Sequence, residues 1–391
     1  MAVRLATGQS RRWVVRLTDL ILLLLAIGCI GAWLYSVQVV IYLVAILLLS
    51  VVRFVVKHYV ENSAHAAIRT DDLLNRPVIH VTNKSIEGMI QGRVVLVTGA
   101  AGSIGSEFVL QLLLLKPKEI ILLDQAESAL YNLVEKIRQT MSHELASTTL
   151  STQLANLTNE TRIRRIVATY QPEFVFHAAA YKHVPLMESH PAEAVQVNIV
   201  GTKNIVDAAI EHGVKKFVLI STDKAVNPTS VMGATKRFAE MYVQYRSVHA
   251  DTQFMTTRFG NVLGSAGSVV SVFRDQIKAG GPVTVTHPLI YRYFMTVSEA
   301  CHLVLEAAAM GKGGEVFVFD MGHPIRIVDL ARRMIHLAGY REGRDIDILF
   351  TGLRPGEKLR EEVLHVHEAI QPTHNPQIKI ARLSEPDPVL I

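Results

Sequence analysis

The chain has 391 residues, a formal charge of +5, 49% hydrophobic and 19% charged residues, and two cysteines. That length accommodates one large domain, or two lobes, with a short appendage. The small basic excess comes with no RNP, zinc-finger or helix-turn-helix pattern, so solvated surface charge is expected and nucleic-acid binding is not. The widely separated Cys29 and Cys301 form neither a disulfide framework nor a metal cluster, which suits a reducing compartment.

From Leu20 to Val52 there is no Asp, Glu, Lys, Arg or His. As a single helix these 33 residues would extend about 50 Å, well beyond a hydrocarbon core of roughly 30 Å. A two-helix hairpin over 18–35 and 38–55, turning near Ser36-Val37-Gln38, fits the bilayer better. Arg4, Arg11, Arg12 and Arg16 precede the run, and Arg53 and Lys57 follow it. Basic flanks on both sides favour two cytoplasmic ends. Residues 1–58 are therefore expected to be a membrane anchor in contact with lipid at the inner (cytoplasmic) membrane, with the remaining chain facing the cytoplasm. The apolar run is too long for a signal-peptide core. Residues 59–92, with Asp71-Asp72 and Arg76-Pro77, read as an irregular connector.

Alternation of strands and helices begins at residue 93. Short apolar strands are expected at 93–98, 119–124, 173–177, 215–221 and 253–259, separated by helix-length segments such as 103–115 and 127–141. Continuous apolar strands between helices imply a doubly wound, Rossmann-type α/β fold with a parallel sheet covered on both faces. Residues 93–260 form this domain. Residues 261–391 are expected to be mainly a smaller substrate-binding lobe, with segments such as 315–319 returning to the main sheet. Gly280-Gly281-Pro282, Gly311 to Gly314 and Pro355-Gly356 mark its turns.

The first strand runs into Gly99-Ala-Ala-Gly102-Ser103-Ile104-Gly105. Glycines three apart at a strand-to-helix turn permit the tight turn, let a pyrophosphate approach the backbone, and bring helix and strand together. The phosphates would meet the amides at the helix N-terminus. Asp124 follows 19 residues after Gly105, at the end of the second strand. Its carboxylate suits the ribose hydroxyl of NAD and would repel the 2′-phosphate of NADP, so NAD is favoured. Asn156 is a weaker candidate for the adenine side, and Ala178 and Ala179, after the fourth strand, line the cofactor edge.

Further motifs follow in chain order: His177-Ala-Ala-Ala-Tyr181-Lys182-His183-Val-Pro185, Asn198-Ile-Val-Gly-Thr202, Ser221-Thr222-Asp223-Lys224-Ala225, Met232-Gly-Ala-Thr-Lys236 and Arg258-Phe-Gly-Asn261-Val262. His287-Pro288, Arg292-Tyr-Phe-Met-Thr296 and Arg354-Pro-Gly-Glu357-Lys358 complete the set. Together with the glycine loop they resemble the CapD-type polysaccharide-biosynthesis proteins, membrane-associated UDP-N-acetylglucosamine 4,6-dehydratases of the extended short-chain dehydrogenase/reductase superfamily. Large members of that group carry several spans and an additional nucleotide-binding-like domain before the catalytic one, where this chain has one apolar block and a connector. A second departure is chemical. Met232 stands where the superfamily's catalytic tyrosine would be.

The resemblance implies a reaction of internal redox on a UDP-sugar. NAD takes hydride from sugar C4, the resulting ketone acidifies the C5 proton, water leaves across C5 and C6, and hydride returns at C6. It further implies that Asp223 protonates the departing C6 hydroxyl, Lys224 removes the C5 proton, Thr222 bonds the sugar O4 and Lys236 holds the nicotinamide ribose. A lysine base must be neutral, which desolvation or neighbouring cations would favour. Met232 cannot take the O4 proton and is expected to pack against cofactor or sugar. It lies one turn from Lys236 on the same helix face. Tyr181, Lys182, His183, Asn261, Arg292, Arg354 and Glu357 are the implied substrate contacts.

Alternative readings are a UDP-sugar C4 epimerase, which would need the tyrosine, and an inactive NAD- and UDP-sugar-binding scaffold or sensor, which would not need the acid–lysine pair. No metal site is expected, although His365 and His367 alternate on an expected helix. A homo-oligomer through paired helices is consistent with the fold by analogy.

Overall fold

The computed structural model describes residues 18–25, 41–54, 84–265, 267–365 and 368–382. Within the expected anchor, 18–25 and 41–54 are helical, and Arg53 is hydrogen-bonded to Asp19. The expected hairpin turn, Cys29, His367 and most of the connector lie outside the described residues. Among the described residues no helix is long and apolar enough to cross a membrane. The end of the connector differs from expectation: Lys84–Ile90 is a helix, because Ile86 and Ile90, four residues apart, are both buried in the core.

The chain divides into two compact units. One comprises residues 74–271, 285–328 and 350–391, and the other 1–73, 272–284 and 329–349. The first holds a nine-stranded sheet. Its strands are β1 (Val94–Thr98), β2 (Glu119–Asp124), β3 (Thr149–Leu154), β4 (Phe174–His177), β5 (Lys216–Ile220), β6 (Gln253–Arg258), β7 (Glu315–Phe319), β8 (Ala369–Pro372) and β9 (Ile378–Arg382). Their order across the sheet is β8-β9-β7-β6-β5-β4-β1-β2-β3. From β7 to β3 all neighbours are parallel, while β9 pairs antiparallel with β7 and β8 antiparallel with β9. In the second unit, Val283 N donates to Asp347 O, and Arg332 forms ion pairs with Asp329 and Glu342.

Successive strand residues enter opposite cores, as the two-residue period of a strand requires. Val95 and Val97 pack on one face and Leu96 on the other; Ile120 and Leu122 oppose Ile121 and Leu123; Val218 and Ile220 oppose Phe217 and Leu219. Both faces are covered by helices. On the first face lie α1 (Ser103–Leu114), α2 (Glu127–Thr140) and α6 (Val297–Met310), through residues such as Phe108, Leu133 and Val304. On the second lie α3 (Glu160–Tyr170), α4 (Gly201–Glu211) and α5 (Val231–Ser247), through Ile166, Val206 and Val243. Each such side chain contributes about 1.5–3 kcal/mol of burial. The chain is thus a Rossmann-like α/β protein with a parallel sheet, as its apolar strand pattern implies.

One local signal was read differently by the fold. His365 is not in a helix: Glu368 N donates to His365 O, and β8 begins at Ala369. Ladder bonds to β9 outweigh the local helical spacing there. Glu315–Phe319 pairs in register with β6 in the main sheet.

At the end of β6, the fully buried Arg258 donates from Nε and Nη2 to the two oxygens of Glu240 on α5, at 2.8 and 2.7 Å. Its Nη1 donates to Glu368, just before β8, at 2.9 Å. Ser221 Oγ donates to the same Glu240 at 2.6 Å, so one buried cluster ties the ends of β5 and β6 to α5. Burial opposes charge on Glu240, but Arg258, Ser221 and Arg237 outweigh it and hold the carboxyl below its ordinary range. Because the folded value lies below the unfolded one, this contribution is present above about pH 4.5 and is lost as pH falls through the folded value. Glu240→Gln should lower the urea-unfolding free energy by about 3–5 kcal/mol, since it leaves Arg258 undercompensated. An unchanged midpoint would show that the pair contributes nothing net.

Candidate active site

Six motif segments lie at the carboxyl ends of parallel strands. Residues 99–105 follow β1, Asp124 ends β2, Asn156 follows β3, 178–183 follow β4, 221–224 follow β5 and 259–261 follow β6. Strand order reverses between β1 and β4, where open parallel sheets leave a crevice. A cleft there is lined by Gly99, Ala101, Gly102, Asp124, Gln125, Asn156, Ala178, Ala179 and Tyr181, among others.

The glycines fit this crevice for separate reasons. Gly99 has φ +65°, and a Cβ there would lie 2.7 Å from Ala179 Cα. A Cβ on Gly105 would lie 2.0 Å from Gly99 O, so only glycine lets α1 start against the turn. Gly102 caps α1 without a side-chain bond, and Ser103 and Ile104 open its first turn. Asp124 accepts from Ala101 N through Oδ2 and from Ala126 N through Oδ1, both at 2.9 Å, and so fixes the loop from the neighbouring strand. Asn156 Oδ1 accepts from Thr158 N at 2.9 Å. This cradle suits the diphosphate of a dinucleotide.

His177, at the end of β4, is fully enclosed. Thr202 Oγ1 donates to Asn198 O at 2.7 Å, so it accepts from His177 Nε2 at 2.9 Å, leaving Nδ1 to accept from Thr98 Oγ1 at 2.6 Å. Burial, aided by the Lys236 charge, pulls this imidazole down to about 3, so it is a neutral buttress. Asn198 lies in a π-turn, Gln196–Val200, and clamps Tyr181 by accepting from its N at 2.8 Å and donating to its O at 3.0 Å. Asn198 also donates to Thr235 Oγ1. Tyr181 consequently lines the cleft, and its hydroxyl accepts from Gln125 Nε2 at 3.4 Å. Burial lowers the Lys182 amine and, together with Lys182, the His183 imidazole, whose ring faces Gly267.

Beyond β5 the chain makes a single 3₁₀ turn, Asp223–Ala225, capped by Thr222. Asp223 is fully buried, and its Oδ1 accepts from Thr222 Oγ1 and from Lys224 Nζ, each at 2.9 Å. Its Oδ2 is buried without a hydrogen-bond partner among the described residues. Lys224 Nζ also donates to Asn261 Oδ1 at 2.9 Å and lies 3.6 Å from Glu361 Oε1. The amine is thus flanked by carboxylates, whereas the sequence reading asked for cations or desolvation. The Thr222 hydroxyl donates to Asp223, and its oxygen keeps acceptor capacity.

Helix α5 is placed against this turn by Gly233, where a Cβ would lie 2.4 Å from Lys224 O, and by Ser230, which caps the helix through Gly233 N. Met232 is buried with Met187 and Ala194, and Tyr181 packs against that cluster. Lys236 is buried and donates to Ile220 O at 2.6 Å.

Arg292 is buried, not solvent-facing. It donates to Tyr291 O and lies 3.6 Å from Glu357 and 3.7 Å from Glu361. Arg354 is exposed and pairs with Glu357 at 3.2 Å, so Glu357 gathers the two arginines. Glu361, 4% exposed in its side chain, joins Arg292 to Lys224 and was not identified from sequence, because its partners are far away along the chain.

The model of the family described as "Polysaccharide biosynthesis protein" matches residues 95–383. The chain belongs to that family. It is 47% identical over 325 residues to a probable polysaccharide biosynthesis protein, EpsC, of Bacillus subtilis, covering 83% of this chain and 54% of that protein. With the capsular polysaccharide biosynthesis protein CapD of Staphylococcus aureus, identity is 49% over 77% of this chain and 50% of that protein. The chain therefore spans about half the length of these two relatives. A UDP-N-acetylglucosamine 4,6-dehydratase (inverting) of Campylobacter jejuni and a UDP-glucose 4-epimerase of Rickettsia canadensis are each 33% identical, over 70% and 71% of this chain and 78% and 79% of theirs. Overall identity therefore does not separate these two chemistries. Among solved structures, Pen from Bacillus thuringiensis superposes with a TM-score of 0.69 at 34% identity, covering 77% of this chain and 90% of its own.

Burial, partly offset by Glu240, pulls the Lys236 amine from 10.5 down to about 8. The unfolded chain then holds the extra proton between these values, so stability rises with pH across that window. Above about pH 8, wild type should gain on the order of 1 kcal/mol per pH unit relative to Lys236→Met in urea unfolding. Parallel stability curves would contradict this.

Proposed function

We propose that the chain is an NAD-dependent 4,6-dehydratase of a UDP-N-acetylhexosamine, with UDP-N-acetylglucosamine the preferred candidate, serving surface-glycan synthesis. The observation that carries this reading is the Asp223–Lys224 pair at the end of β5, beside a buried methionine where an epimerase would use a phenol. Two proton-transfer groups adjoin one point in the site, as an elimination requires and a C4 inversion does not.

Bound in the cleft between β1 and β4, NAD would supply reversible hydride acceptance, removing hydride from sugar C4 and returning it at C6. The glycine turn, Asp124, Asn156, Ala178, Ala179 and Lys236 would hold that cofactor. The chain's own residues manage the protons. Lys224 takes the proton from C5, made acidic by the adjacent ketone, while Asp223 gives its proton to the C6 hydroxyl, which leaves as water. The 2.9 Å contact between Lys224 Nζ and Asp223 Oδ1 then lets the ammonium return its proton to the carboxylate. The pair loses no net proton; the proton released from O4 on oxidation balances the one C5 gains from solvent as hydride returns at C6, and the substrate loses one water. Asp223 Oδ2, buried without a donor, is the oxygen available to the leaving hydroxyl.

Tyr181, Lys182, His183, Asn261, Arg292, Arg354 and Glu357 remain the proposed substrate contacts, with Arg292 and Arg354 the cationic groups suited to a diphosphate. The uncharged run Leu20–Val52 with basic flanks supports attachment to the cytoplasmic membrane, with the catalytic unit on the cytoplasmic side.

Incubation with UDP-N-acetylglucosamine in deuterated water, followed by NMR, should yield a 6-deoxy-4-keto sugar carrying deuterium at C5. An unlabelled galacto-configured product would instead indicate epimerisation, and unchanged substrate with measurable binding a sensor. Lys224→Ala should retain NAD and lose C5 exchange by about 10²-fold or more; normal turnover in that variant would remove the lysine from the mechanism.

A further inference from the structure

We infer that Glu361 is a positioning residue for the elimination, holding Lys224 in place and stabilising the ammonium that forms as it takes the C5 proton. The inference rests on the dehydratase reading of the same site.

Glu361 is buried, yet its contacts are those of charge and not of saturation. Oε1 lies 3.6 Å from Lys224 Nζ and 3.7 Å from Arg292 Nε, both beyond ordinary hydrogen-bond length, and Oε2 has no hydrogen-bond partner among the described residues. A carboxylate retained only for stability would be expected to have its acceptors filled, because burying an unsatisfied one is costly. Its placement is nonetheless firm. Lys358 Nζ donates to Val226 O at 3.0 Å, Thr229 Oγ1 to Gly356 O at 3.3 Å, and Asn227 Nδ2 to Glu362 Oε2 at 2.6 Å. These bonds strap residues 356–362 across 226–229, directly after the catalytic turn.

The groups facing the Lys224 amine are Asp223 from its own turn, Asn261 after β6, and Glu361 from the strap, with Arg292 behind Glu361. Asp223 is consumed by the chemistry, since it gives its proton to the leaving hydroxyl and later receives one from Lys224. Glu361 keeps the same charge throughout. Placed 3.6 Å away, it therefore stabilises the ammonium that forms at proton abstraction, as the buried aspartate of a serine-protease triad does for its imidazolium. Arg292 limits the cost by sharing that charge.

The test uses the full chain with bound NAD and UDP-N-acetylglucosamine, reading C5 exchange from solvent. Glu361→Gln should lower the exchange rate by about 10²-fold, change kcat more than KM, and move the acid limb of the exchange–pH profile to lower pH. Glu361→Asp should lower the rate less and leave the limb in place. Should Glu361→Gln lose its NAD, the aspartate variant alone carries the comparison. Wild-type rate and profile in Glu361→Gln would overturn the inference, as would equal losses in both variants with an unmoved limb, which would mark a packing role. If wild type forms no 6-deoxy-4-keto sugar, the dehydratase reading fails first and the inference falls with it.

Discussion

Burying a carboxylate completely costs several kcal/mol unless donors replace its water, and at Asp223 they reach one oxygen only. Thr222 and Lys224 satisfy Oδ1 and leave Oδ2 without a donor. The surroundings enforce this state. Asp223 N is bonded to Phe259 O, and a Cβ on Gly260 would come within 3.2 Å of Oδ2. Gly233 brings α5 against the Lys224 carbonyl. The acid and the amine are held in one short turn whose backbone has nowhere to move, which is what proton transfer between neighbouring groups needs.

The sheet explains why that turn has the glycine loop and Asp124 for neighbours. Parallel strands send all their following loops to one edge, so groups scattered from Gly99 to Asn261 meet there. The Arg258–Glu240–Glu368 cluster fixes the same edge from beneath, joining β5, β6, α5 and the chain entering β8. Glu240 also supports Lys236 electrostatically, so the structural cluster is coupled to the lysine proposed to hold the cofactor. Membership of the polysaccharide biosynthesis family fits this arrangement, while the proposed dehydration rests on the acid–lysine pair and the buried Met232.

Much of this edge was legible from sequence because its signals are local. The glycine turn and Asp124 belong to one strand–helix–strand unit, and Thr222 to Lys236 span little more than one turn and one helix start. Glu361 was not legible, since its partner Lys224 is far away in sequence and no spacing rule links them. Arg258, Glu240 and Glu368 were hidden for the same reason. Tyr181, a substrate contact by its motif, is held by the Asn198 clamp along the cleft between β1 and β4, a long-range contact that spacing does not report. The segment after His365 was misread because its strand pairing is supplied by Ile378–Arg382, which local periodicity does not report.

The central claim is that one sugar is oxidised and reduced within a single turnover, so that Lys224 meets a C5 proton only while a ketone stands beside it. Substrate labelled with tritium at C4 tests this most directly. The account predicts that the label reappears at C6 of the 6-deoxy product within the same molecule. Label retained at C4, or lost to solvent while product forms, would contradict it.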